Sequence, residues 1–114
     1  MPDQRLPTHI EVSGLIRAVQ AAGGFATVLS KGERDAGTIM VICCENGTNA
    51  SAWERMPQRD GTRAFECART EDPENKADFF DFWRRRAQQD PDLWVVELDV
   101  ENATRFVAGD GTVS

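Results

Sequence analysis

The sequence is short of the residues that usually reveal a chemistry. It has one histidine, His9, and three cysteines, Cys43, Cys44 and Cys67, among 114 residues. An odd count with no C-x-x-C spacing argues against a disulfide framework. Structural zinc takes four ligands, usually in paired short spacings, and these four residues offer none. Cys43 and Cys44 are adjacent, so on a strand they point to opposite faces. A catalytic thiol needs a base within reach and a third group to orient that base, and no spacing here supplies them. No catalytic residue, cofactor site or metal site is therefore expected. No apolar run approaches the roughly 18 residues of a membrane span. Met1-Pro2-Asp3-Gln4-Arg5 leads into no apolar stretch, so the expectation is a cytoplasmic protein without a membrane partner. Positive charge is also in deficit, with 13 Lys and Arg against 19 Asp and Glu, a net charge of −6. Broad nucleic-acid binding needs a basic face and is not expected.

What is present suits one compact domain. A chain of this length buries roughly two-thirds of the surface its unfolded form exposes, enough for a core without staples. The most apolar stretch is Thr38-Ile39-Met40-Val41-Ile42-Cys43-Cys44-Glu45. It is rich in Ile and Val, which favour strands, and Asn46-Gly47 behind it is a strong hairpin signal. Thr38–Glu45 is expected to be the central strand.

Around it the chain reads in order. Residues 1–8 are a polar arm. Thr8–Val12 alternates and is compatible with an edge strand. A first helix is expected from Ser13, a good N-cap, to Ala22, with Gly23-Gly24 ending it. Strands follow at Phe25–Ser30, Thr38–Glu45, Asn49–Met56 and Thr62–Arg69, with turns at Asn46-Gly47 and at residues 58–61. On the last of these, Arg63, Phe65, Cys67 and Arg69 are expected on one face. Asp72 and Pro73 open a second helix with Ala77, Phe80, Trp83 and Ala87 as its main apolar stripe, widened by Phe79 and Phe82. Leu93–Val100 is a final strand, with Trp94, Val96, Leu98 and Val100 on its apolar face, and it is placed to pair parallel with a neighbour after a helical crossover. The core runs over about residues 9–107, and 108–114 read as a flexible tail. The expected fold is α+β: a mostly antiparallel four- to five-stranded meander sheet with two helices packed on one face. Three acceptor sequons, at Asn46, Asn49 and Asn102, are read as turn chemistry.

Several phrases together carry a resemblance. Ala21-Ala22-Gly23-Gly24-Phe25-Ala26 leads through Leu29, Lys31 and Gly32 to Asp35-Ala36-Gly37. Trp53-Glu54-Arg55 and Asp90-Pro91-Asp92-Leu93-Trp94-Val95-Val96-Glu97 follow. In this order and spacing the chain resembles a family of small bacterial proteins, domain of unknown function 1491, over about Leu6–Val107. The resemblance implies a stand-alone cytoplasmic protein and brings no activity or catalytic residue with it. Where the family pattern is more often aromatic or apolar after the starting histidine, this chain has Glu11, which argues against a packing role there.

Two polar clusters have bland explanations. Glu33-Arg34-Asp35 and the turn at 58–60 read as turn chemistry rather than an acid–base pair. Arg84-Arg85-Arg86 beside Trp83 has Glu74, Asp78 and Asp81 at helical spacing to pair with it. A patch of Trp53, Arg55, Arg63, Arg69 and Trp83 is the candidate ligand or interface surface. The two-sided apolar strand at Ile39–Cys44 asks for cover on both faces, which two short helices on one face cannot give. The leading expectation is therefore a non-catalytic interaction or homo-oligomerisation module, with self-association and an unknown protein partner. The alternative is a small-ligand binder or enzyme with a pocket between sheet and helices, lined by Trp53, Trp83, Trp94 and arginines. A weak nucleic-acid role through the arginines ranks third.

Overall fold

The computed structural model describes residues 6–57 and 63–107. The first five residues of the expected arm, the turn at 58–61 and the tail at 108–114 lie outside the described residues. Along the chain come α1 (Thr8–Ala21), β1 (Phe25–Ser30), β2 (Thr38–Glu45), β3 (Thr48–Pro57), β4 (Arg63–Thr70), α2 (Lys76–Gln89) and β5 (Leu93–Asp99). A 3-10 turn, Ala103–Phe106, follows. The α+β class is as expected, and its arrangement needs two corrections.

The sheet is mixed rather than a mostly antiparallel meander. Its order is β1-β5-β2-β3-β4. β2, β3 and β4 run antiparallel in sequence, but β5 enters between β1 and β2, antiparallel to the first and parallel to the second. The reason lies in Leu93-Trp94-Val95-Val96, which is apolar on both sides and wholly buried. Such a strand needs cover on both faces and takes an interior slot. β1, with Phe25 76% exposed, is left at the edge.

The helices lie on opposite faces, not on one. Val12 and Val19 of α1, with Leu15 and Ile16, join Ile39, Val41, Cys43, Trp94, Val96 and Leu98 in one cluster. Phe79, Phe82, Trp83 and Ala87 of α2 join Met40, Ile42, Cys44, Leu93 and Val95 in another. The alternation of β2 thus feeds two cores. Fully burying each Val, Leu or Ile contributes roughly 1.5–3 kcal/mol, so neither face of β2 can be left wet.

The first helix starts where a tertiary bond holds it, the second at a local cap. α1 begins at Thr8, so neither an edge strand at Thr8–Val12 nor a cap at Ser13 forms. Thr8 Oγ1 donates to the Gly37 carbonyl at 3.0 Å, and its N–H donates to Asp35 at 3.1 Å. Ser13 Oγ instead donates back to the His9 carbonyl. α2 begins at Lys76, later than Asp72 and Pro73 suggest. Asn75 is the cap, accepting from the Asp78 N–H, while Asp72 closes a separate turn by accepting from the Glu74 N–H. Phe80, expected on the main stripe, is 49% exposed, whereas Phe79, expected to widen it, is buried.

β4 carries a bulge. Trp53 pairs with Cys67 but its neighbour Ala52 pairs with Arg69, so Ala68 is the extra residue. The parity of β4 changes there. Arg69 therefore faces α2, whereas Phe65 belongs to the α1 cluster, and the expected shared face of Arg63, Phe65, Cys67 and Arg69 is corrected.

Candidate functional site

The triplet Trp53-Glu54-Arg55 sits on β3, where successive side chains point to opposite faces. Arg55 reaches α1. Its guanidinium donates to both carboxylate oxygens of Glu11, at 3.1 and 2.6 Å, and lies 4.9 Å from the centre of the Phe65 ring. Glu54 reaches α2, where Arg86 forks onto it, one bond measuring 2.9 Å. That pairing raises the Arg86 pKa further above its already high value. Trp53 lies on the α1 side and donates its indole N–H to Ser51 Oγ at 2.8 Å. Adjacent residues of one strand thus tie a helix to each side of the sheet. Glu11, with its side chain 26% exposed, receives a charge-assisted bidentate bond, the strong kind. No spacing in the sequence links positions 44 residues apart, so this pair was not foreseen.

The expected five-residue patch is divided by the sheet. Trp53 and Arg55 lie with α1. Arg69 lies with α2, bonded to Asp78 at 3.0 Å and stacked 4.5 Å from the Phe82 ring. Trp83 belongs to the α2 core and meets Phe80 edge-on at 5.1 Å. Arg63 pairs with Pro57 in the ladder, and its side chain lies outside the described residues. The three tryptophans are separated likewise: Trp53 and Trp94 on the α1 side, Trp83 on the other.

The phrases Lys31–Gly37 and Asp90–Trp94 meet at one end of the sheet. The Asp92 carbonyl accepts from the N–H groups of Glu33 and Thr38, and the Trp94 indole donates to the Glu33 carbonyl at 2.7 Å. Glu33 in turn accepts from the backbone of Asp35 and Ala36, which lowers its pKa. Its carboxylate is thereby a loop brace. His9 is placed here as well, its Nδ1 3.1 Å from the Arg34 carbonyl.

The other end of the sheet holds a cavity of about 500 Å³ lined by Gly23, Phe25, Glu45, Asn46, Asp99 and Glu101, among others. Two of its carboxylates are engaged by turns. Asp99 accepts from the N–H groups of Asn46 and Gly47 at 2.7 and 3.1 Å, and Glu45 accepts from Asn102 at 2.7 Å. Cys43 and Cys44 are buried, and burial above all pushes both thiols up to about 12. Cys67 is exposed on β4. Among the described residues no group of three or more His, Cys, Asp and Glu is placed to hold a metal ion, and no helix is long and apolar enough to cross a membrane.

A three-layer α+β domain with ties of this kind is a structural class rather than an activity. The chain belongs to the family described as protein of unknown function (DUF1491), which matches residues 6–108. A crystal structure of a DUF1491 family protein from Caulobacter crescentus CB15 is 29% identical over 96% of this chain and all of that one, with a TM-score of 0.79. A DUF1491 family structure from the same organism, solved by NMR, is 30% identical over 98% of this chain and 99% of that one, with a TM-score of 0.77. The solution structure of an A. tumefaciens protein is also 30% identical, over 97% of this chain and all of its own, with a TM-score of 0.72. None of the curated proteins compared with the chain matches it.

Proposed function

We propose that this protein is a small non-catalytic interaction module that self-associates through the edge strand β1. The observation that carries the reading is the contrast between the two sheet edges. Phe25–Ser30 contains no charged residue, and Phe25 and Val28 are 76% and 38% exposed. Its ladder partner is β5 on one side, and among the described residues nothing pairs with the other. The opposite edge, β4, carries Arg63, Glu66 and Arg69 and is interrupted by the bulge at Ala68. Charges are a usual guard against unwanted strand pairing, and β1 has none; β1 carries a bulge of its own, at Leu29, at the far end of the strand from Phe25.

An uncharged strand can pair with its own copy across a two-fold axis, which brings no like charges together in a molecule of net charge −6. The expectation of self-association rested on a sheet face in need of cover. Since α1 and α2 cover β2 on both sides, the support for the reading moves from a face to an edge. Light scattering at micromolar concentration is expected to give a dimer, and Val28→Lys a folded monomer. A wild-type monomer under those conditions removes the proposal, and a dimeric Val28→Lys moves the interface elsewhere.

A further inference from the structure

The α2 side of the sheet is only half covered. α2 lies over β2, β3 and the start of β5, with Leu29 of β1 packed beside it, and the far half of β5 with the Phe25–Thr27 end of β1 is left open. The register pairs Phe25 with Asp99 and Thr27 with Glu97. Alternation from Val95, which packs in the α2 cluster, puts all four side chains on this same face. Thr27 is exposed, Glu97 is half-buried, and Phe25 stands mostly in solvent. The helix borders the opening with Phe80, over whose ring the Arg84 guanidinium lies at 5.2 Å. Phe82 and Arg86 turn toward β4 and β3, where they meet Arg69 and Glu54. Phe80, about 100° round the axis from Phe79 in the other direction, is on the flank toward β5 and is half exposed.

Glu97 is unlike the other half-buried carboxylates. Glu11 has Arg55, Glu54 has Arg86, and Glu71, Asp90 and Asp99 accept backbone N–H bonds. Glu97 has no hydrogen bond and no ion pair among the described residues. Burial and the neighbouring Asp99 both raise its pKa, and no cation offsets them. A partly desolvated carboxylate with no counter-ion gains more from an arriving cation than an exposed one does.

We propose that this open half-face is a docking surface for a partner polypeptide segment in which a lysine or arginine, flanked by apolar residues, pairs with Glu97 while its neighbours pack on Phe25 and Phe80. Charge complementarity names the occupant: the floor is acidic, its rim is aromatic with Arg84 standing 5.2 Å from the centre of the Phe80 ring, and among the described residues no cation pairs with Glu97 itself. The inference is independent of self-association through β1, because ladder bonds lie in the plane of the sheet and this surface lies above it.

The test uses a short synthetic peptide of alternating leucine and arginine, with a leucine–glutamate peptide as counterpart, titrated into isotopically labelled full-length protein. Amide shifts are expected to move on β1, on the second half of β5 and on the first turns of α2, and affinity should fall as salt rises. Glu97→Gln should weaken binding about tenfold, the value of one charge-assisted contact. Phe25→Ala, at an exposed position that leaves the core intact, should also weaken it. Asp35→Asn, an exposed acid in the loop before β2 and away from this face, should leave it within twofold. Equal binding by Glu97→Gln, equal binding of the leucine–glutamate peptide, shifts confined to other surfaces, or no binding would each overturn the proposal.

Discussion

Asn46, Asn49 and Asn102 each hold a left-handed backbone, with φ of 52°, 53° and 53°, and they are the non-glycine residues with positive φ among those described. Asparagine visits this region more readily than other side chains, so Asn46 and Asn102 do serve in turns, whereas Asn49 lies within β3 where its register against β2 shifts. Gly37 is constrained by space instead. A Cβ there would stand 2.5 Å from the Asp92 carbonyl and 2.6 Å from that of Glu33, both backbone atoms. Gly37→Ala should therefore cost about 1–3 kcal/mol, read as a lower urea midpoint at unchanged slope. The cysteines make a second prediction. With Cys43 and Cys44 buried and pushed up to about 12, a thiol reagent at mildly alkaline pH should label only Cys67 until the protein unfolds. The third concerns Glu97, whose pKa is raised by burial first and Asp99 second. A carboxyl with a raised folded value favours the native state at low pH, and that advantage disappears as pH rises through the folded value. Glu97→Gln should thus be more stable than wild type at neutral pH, with the gap closing below the ordinary glutamate value of 4.5. A urea series across pH that shows a constant gap, or the opposite sign, refutes this.

Among the elements, β3 decides how the layers are joined. Its neighbours Glu54 and Arg55 point to opposite faces, and each meets an oppositely charged residue on a different helix. The Arg55 and Glu11 side chains are 14% and 26% exposed, well screened from water. A double-mutant cycle on Glu11→Ala and Arg55→Ala should return a coupling of about 1–3 kcal/mol, typical of contacting partners. Arg55→Ala alone should cost more than Arg34→Ala, because Arg34 and Asp35 form a pair whose side chains are 72% and 71% exposed. β1 and β2 were legible to the residue, because each is a compact apolar run between strong turn or polar signals. The helix starts were not. Thr8 and Asn75 act through bonds to the Gly37 carbonyl and the Asp78 N–H, and the first of these is made 29 positions away.

For the whole molecule, the sheet order sets which surfaces remain to meet a partner. With β5 in the interior, β1 becomes an edge, and its lack of charge becomes consequential. If dimers form there, the melting temperature should rise with protein concentration, because association stabilises the folded state by mass action. Val28→Lys should make the melting temperature independent of concentration. The arginine patch shows the opposite case. Trp53, Arg55 and Arg69 from strands and Trp83 from a helix are expected to share one patch, yet the sheet and the bulge at Ala68 put them on two sides.

By itself the sequence determined the α+β class, the five strands, the two-sided burial of Ile39–Cys44 and the turns at asparagine and glycine. These depend on local periodicity and on backbone preferences that each residue carries with it. Only the tertiary structure decided that β5 enters between β1 and β2, that one helix lies on each face, and that Glu11 and Glu54 have arginine partners while Glu97 has none among the described residues. Those outcomes depend on which distant surfaces bury each other best and on long-range pairs between charges, and neither quantity is written in the spacing of neighbouring residues.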